Sequence, residues 1–160
     1  MALLLSSLAG LAACKAKSPA ATGVAGSEEA KAVTMVSVKL PTTGLDAQVP
    51  EGSRVSEALG KDLVDGPGLV ATVESGATTP RAIDEAKREA EDFTAQAIAE
   101  ATLDDGWVLT FENEGSMGPN YWVQVRRELE GEAFFCSTTA DSAEVRDAAL
   151  AFCKSLKKSA

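Results

Sequence analysis

The sequence predicts an α+β domain, a mostly antiparallel sheet packed by two amphipathic helices. Three observations carry that expectation. Segments 80–103 and 141–156 repeat apolar residues at three- and four-residue steps, the signature of a helix with one buried stripe. Several shorter segments alternate apolar and polar residues with period two, as half-buried strands do. The order is strands, long helix, three-stranded meander, C-terminal helix, with no internal repeat.

Segment 33–40 reads as the first strand, with Val36, Val38 and Leu40 on one face. After a turn at 41–44, Leu45, Ala47 and Val49 alternate in a second short strand ending at Pro50. Residues 54–59 fit a brief third strand or a turn of helix. Asp65-Gly66-Pro67-Gly68 is a loop signal, and 69–74 reads as a strand. The long helix, 80–103, has Thr79 as its N-cap and Pro80 at its first position. Ile83, Ala86, Ala90, Phe93, Ala97 and Ala101 form its stripe, and Asp104-Asp105-Gly106 ends it. In the meander, Trp107, Leu109 and Phe111 alternate on one strand and Tyr121, Val123 and Val125 on the next, joined by a loop at 113–120. Glu130-Gly131 turns the chain into a third strand at 133–136. Asp141-Ser142-Ala143-Glu144 is a capping-box-like start for the last helix, whose stripe is Val145, Ala149, Phe152 and Leu156. Lys154, Lys157 and Lys158 complement the dipole at its C-terminal end. Over residues 33–157 this element order is similar to the PsbP-type fold. The resemblance implies a central antiparallel sheet with flanking helices, and a binding or assembly factor rather than an enzyme.

Composition narrows the function. At 45% hydrophobic and 24% charged residues the 160-residue chain is of ordinary globular type, with room for one domain and a tail. A net charge of −9 without a basic cluster argues against nucleic-acid binding, because phosphate backbones repel it. The chain has no histidine, which removes Ser-His-Asp and Cys-His catalysis and His-based zinc sites. No cofactor is implied.

Residues 2–13 are an uncharged apolar run, too short for a spanning helix of roughly 20 residues, and 1–13 has the length of a signal peptide. The run ends in Leu11-Ala12-Ala13-Cys14, which resembles the lipobox of bacterial lipoproteins. That resemblance implies cleavage before Cys14, acylation of its sulfur and a membrane anchor, held by about 0.8 kcal/mol per buried CH₂. Only Met1 precedes the apolar run, so either a start lies upstream or the terminal amine supplies the positive charge. Lys15, rather than Asp, favours the outer over the inner membrane by the same resemblance. Residues 14–31, rich in Ala, Gly, Ser, Thr and Lys, read as the acylated cysteine and a flexible linker; 32–160 is the domain.

With Cys14 lipidated, Cys136 and Cys153 are the remaining pair. In an exported chain they fit a disulfide, provided residues 137–140 stay extended so that the returning helix brings Cys153 level with Cys136. Two buried free thiols, or a functional pair, are the alternatives. Elsewhere the chemistry is sparse. Asp62 and Asp65-Gly66 lack the alternating ligands and terminal Glu of a calcium loop and read as a turn. Glu85, Glu89 and Asp92 read as a solvated helix face rather than an acid–base pair. Gly60-Lys61 lacks the remainder of a phosphate-binding loop. The segment 113–120 with Tyr121 and Trp122 is the richest group. Trp122, Gln124 and Arg126 share one face, which is a candidate protein-interaction surface if left open. If the second helix covers it, Trp122 is core. The sequence therefore points to a non-enzymatic envelope lipoprotein that binds a protein or envelope partner; a hydrolase with carboxylates in a cleft, or a purely structural subunit, are the alternatives.

Overall fold

The computed structural model describes residues 33–159, so the expected leader, Cys14 and the expected linker lie outside the described residues. Strands β1 (Met35–Lys39) and β2 (Leu45–Pro50) form a hairpin, and the two-residue β10 (Lys157–Lys158) pairs with the other side of β2. Strands β3 (Arg54–Ala58), β4 (Lys61–Gly66), β5 (Leu69–Ser75), β6 (Gln96–Leu103), β7 (Gly106–Gly115), β8 (Gly118–Leu129) and β9 (Glu132–Ala140) build a second sheet. Its order is β3-β4-β5-β9-β8-β7-β6, with every pairing antiparallel. Helix α1 (Ile83–Asp92) links β5 to β6, and helix α2 (Ala143–Ser155) follows β9. The fold is α+β.

The large sheet is apolar on both faces, and each helix takes one. Cross-strand partners share a face, so Phe111 opposite Trp122 and Trp107 opposite Arg126 lie together. Ala86 and Ala90 of α1 pack there on Trp107, Leu109, Phe111 and Phe135. Val73, Val123, Val125 and Cys136 point the other way, into a larger core with Ala149, Phe152 and Cys153 of α2 and Leu45, Ala47 and Val49 of β2. Each fully buried large side chain contributes roughly 1.5–3 kcal/mol through area removed from water, so the α2 side supplies most of the apolar driving force. Phe152 is 2% exposed and centres that stripe.

The final helix starts as its sequence predicts: Ser142 Oγ accepts from Val145 N at 3.3 Å, satisfying one of the free N-terminal amides. It ends earlier. Lys157 and Lys158 leave the helix for β10, and Lys158 Nζ lies 4.8 Å from the centroid of the Phe134 ring. The turn at Glu130-Gly131 also stands, with φ of 54° and 83°, the left-handed pair that joins antiparallel strands tightly.

Segment 80–103 departs from expectation. Helix α1 begins three residues after Pro80, because Thr79 does not cap it: its Oγ1 donates to Gly76 O at 3.1 Å. It stops at Asp92 in a Schellman arrangement, with Ala95 N bonded to Ala90 O and Thr94 N to Glu91 O. Thr94 takes the left-handed conformation (φ 55°) usually given to Gly. Residues 96–103 are then the edge strand β6, and Ala97 and Ala101 are solvent-exposed rather than part of a buried stripe. The meander therefore has four strands, β6 to β9. Lys87 of α1 is tied to Glu100 of β6 at 2.9 Å, and that hydrogen bond holds the ammonium above the ordinary lysine range.

Two smaller corrections concern turns. The expected loop 113–120 is mostly strand, since β7 runs on to Gly115 and β8 starts at Gly118, pairing Asn113 with Asn120 and Glu114 with Pro119. Residues 54–58 and 61–66 form a full hairpin, in which Asp62 is a strand residue and not part of a turn. Gly106, which opens β7, admits no side chain: a Cβ there would lie 1.9 Å from the Arg126 carbonyl oxygen.

Candidate binding face

The α1 face of the large sheet is only partly covered. Because the second half of segment 80–103 is strand, ten helical residues remain to shield it, and they sit over β7. Beyond them, over β8, β9 and β5, lies an open groove of about 270 Å³. Trp122 and Gln124 of β8, Phe135, Ser137 and Thr139 of β9, and Val70 and Thr72 of β5 line it. Register places them: Trp122 opposes Thr139, Gln124 opposes Ser137, and Ser137 opposes Thr72.

Trp122 is the best-positioned of these. Its ring stacks on Phe111 at 5.4 Å with 8° between planes, and Phe93 leans on it at 5.7 Å. Its Nε1 donates to Asn113 Oδ1 at 2.9 Å, an acceptor shared with Asn120 Nδ2 at 3.1 Å. Asn113 Nδ2 in turn donates to Phe93 O, which anchors the C-terminal end of α1 to β7. Trp122 is half-buried, held by aromatic rings and amides with one side left to the groove. The C-terminal helix does not cover this face. The first helix reaches it instead, and only in part.

Gln124 lies deeper, at the groove floor, with Oε1 shielded from solvent and without a hydrogen-bond partner among the described residues. Beside it Thr72 Oγ1 and Ser137 Oγ are 3.1 Å apart, one hydroxyl donating to the other. No residue lining the groove is ionisable.

Arg126 departs from the expected surface. It is 5% exposed, and its Nη1 donates to Gly76 O (2.9 Å), Thr79 Oγ1 (3.3 Å) and Pro80 O (3.4 Å). The guanidinium thus clamps the 3-10 turn Gly76–Thr78 and the entry to α1 onto β8, with Glu128 3.5 Å away. It is a structural cation within the fold. Nη1 alone reaches all three oxygens, while Nε is buried without a hydrogen-bond partner among the described residues.

Cys136 and Cys153 form a disulfide, Cα–Cα 5.6 Å, on the opposite face of the sheet. Asp62, the strand residue of β4, is fully buried and receives Thr42 N, Thr43 N and Thr43 Oγ1 at 2.7–2.9 Å, so its oxygens serve the β1–β2 turn. Neither pair of sites belongs to the groove, and nothing in the local sequence marked Asp62 as buried: its partners lie about twenty residues away.

Trp122→Ala should leave a cooperatively folding protein weakened by about 2 kcal/mol, below the range for a fully buried aromatic because the ring is partly open to solvent. Urea denaturation followed by circular dichroism measures it. Loss of all cooperative unfolding would place Trp122 wholly in the core.

No protein-family model matches the chain, and no curated protein is significantly similar to it.

Proposed function

We propose that this chain is a lipid-anchored lipoprotein of the bacterial envelope whose α+β domain is a non-enzymatic binding or accessory module. The observation that carries the export half is the Cys136–Cys153 disulfide, because structural disulfides persist in oxidising compartments. It joins the Leu11-Ala12-Ala13-Cys14 segment as a second, independent pointer to the same address. The element order read from the sequence resembles the PsbP-type fold, and that resemblance implies binding rather than catalysis.

The binding half rests on the groove. A hydrolase of the kind considered needs two carboxylates facing a cleft. The groove around Trp122 contains none. A second cavity, beside the β1–β2 turn, has Glu132 as its carboxylate, and Lys158 pairs with it. Asp104 and Asp105 do meet at a shallow cleft, but Asp105 is engaged by Arg127 in a two-pronged pair at 2.6–2.9 Å, with Lys154 alongside. A positioned aromatic beside an uncharged recess fits recognition better than acid–base chemistry.

The test is the intact mass of the protein extracted from its native membrane. Loss of residues 1–13, added acyl mass on Cys14 and two missing hydrogens are expected. An unmodified chain that keeps residues 1–13 would overturn the anchor.

A further inference from the structure

We infer that the groove over β5, β9 and β8 is a binding site for a neutral polyhydroxylated ligand, a short segment of uncharged glycan. This names the ligand class for the binding module proposed above and rests on that reading of the domain. Four observations select the occupant. The groove lining carries no charge in a chain of net charge −9, so an anionic or cationic ligand would find no counter-charge there. Its floor nonetheless offers hydrogen bonds: the paired hydroxyls of Thr72 and Ser137, and the amide of Gln124. Thr72 Oγ1 also donates to Ser137 O at 3.2 Å, so what the pair offers is chiefly lone pairs, which accept from sugar hydroxyls.

The third observation is Gln124 Oε1. A buried acceptor without a donor costs about 1–3 kcal/mol, and this one belongs to a residue that lines the groove. Turning the amide toward the groove would bring that oxygen to a ligand hydroxyl as its donor. The fourth is the wall. The half-buried Trp122 gives flat apolar surface against which the C–H face of a sugar ring packs, while stacking on Phe111 and the bond to Asn113 keep the indole from turning. At about 270 Å³ the cavity lies just below the usual range of small-molecule sites, roughly 300–1,000 Å³, a size suited to a short stretch of chain.

The experiment observes the Trp122 indole N–H by nuclear magnetic resonance in the full chain, solubilised in a detergent without a sugar headgroup. Its resonance is assigned by its disappearance in Trp122→Phe. Chitotetraose, maltotetraose, cellotetraose and mannotetraose are titrated separately to millimolar concentrations. At least one should shift the Trp122 signal saturably, with the Trp107 signal unmoved. Gln124→Leu should then weaken that sugar roughly tenfold, about 1.4 kcal/mol, while its melting temperature stays level or rises because an unpartnered buried oxygen is gone. No saturable shift with any of the four would overturn the inference. So would a shift that follows protein concentration without sugar, which would assign the groove to a second copy, or an equal affinity in Gln124→Leu. None of these readings depends on Cys14. An unacylated protein that still binds sugar would sink the anchor alone, and an acylated one that binds none would sink the glycan alone.

Discussion

Replacing Cys136 and Cys153 together with alanine is expected to lower the free energy of unfolding by about 3 kcal/mol. The bridge closes a loop of sequence separation 17, and in the chain-entropy account a loop near that length is worth roughly 3 kcal/mol through the freedom it removes from the unfolded chain. Its location adds to the consequence. Cys136 lies mid-strand on β9, opposite both Val73 and Val125, and Cys153 lies in the last turn of α2; both are fully buried. The bond therefore fastens the helix that covers the larger core. Urea unfolding of the oxidised protein and the double variant measures the difference. The slope against urea should also steepen, because an uncrosslinked chain exposes more surface when unfolded. A change below about 1 kcal/mol would show that packing of Phe152 and Leu156 already holds α2 in place and the bridge adds little. In the folded state the buried sulfurs should resist reductant until the protein opens.

Asp62→Ala is expected to cost a similar amount, about 3 kcal/mol. The Asp62 carboxylate is fully buried, and its hydrogen-bond partners are all neutral: Thr42 N at 2.8 Å, Thr43 N at 2.9 Å and Thr43 Oγ1 at 2.7 Å. Bonds to a charged acceptor are worth roughly 1.5–3 kcal/mol each, set against the cost of burying the charge. Removing the carboxylate frees the β1–β2 turn from β4 and leaves donors behind. Asp62→Asn tests the chemistry at constant shape. One oxygen remains, but the amide nitrogen would face a donor, so about half the loss is expected. Thr43→Val, which deletes one bond and leaves the backbone donors, should cost about 1 kcal/mol. Hydrogen exchange at the amides of Leu40 and Gly44, which donate to Leu45 O and Leu40 O and close the turn, should quicken most in Asp62→Ala. If exchange there is unchanged, the turn is held by its own bonds and Asp62 is not its anchor.

Much of the fold was legible because its signals are local. Alternation placed β2, β5, β7, β8 and the start of β9, and the Ser142 cap placed α2. The disulfide is a conditional expectation whose condition is met: residues 137–140 stay extended, within β9, and the helix beginning at Ala143 returns Cys153 to Cys136. Segment 96–103 misled for a physical reason. Its alanines favour helix and keep the three–four spacing, and Thr94 stands where a glycine would have marked the stop. Its strand state comes from pairing with β7, Ala99 to Thr110 and Thr102 to Trp107, a partner it meets only in the folded chain.

The candidate face divides along the same line. That Trp122, Gln124 and Arg126 share a side follows from alternation alone. Their fates do not: Arg126 is buried under the approach to α1, Gln124 lies at a groove floor, and Trp122 stands at its edge. The sequence by itself determined the class of fold, the two periodicities, Cys136 and Cys153 as the candidate pair, and an N-terminal segment that resembles a lipobox, because each depends on spacing along one stretch of chain. Only the tertiary structure decided the strand β6, the burial of Asp62 and the open half of the α1 face. Those depend on which distant segment arrives to supply a hydrogen bond or to exclude water, and spacing carries no record of that.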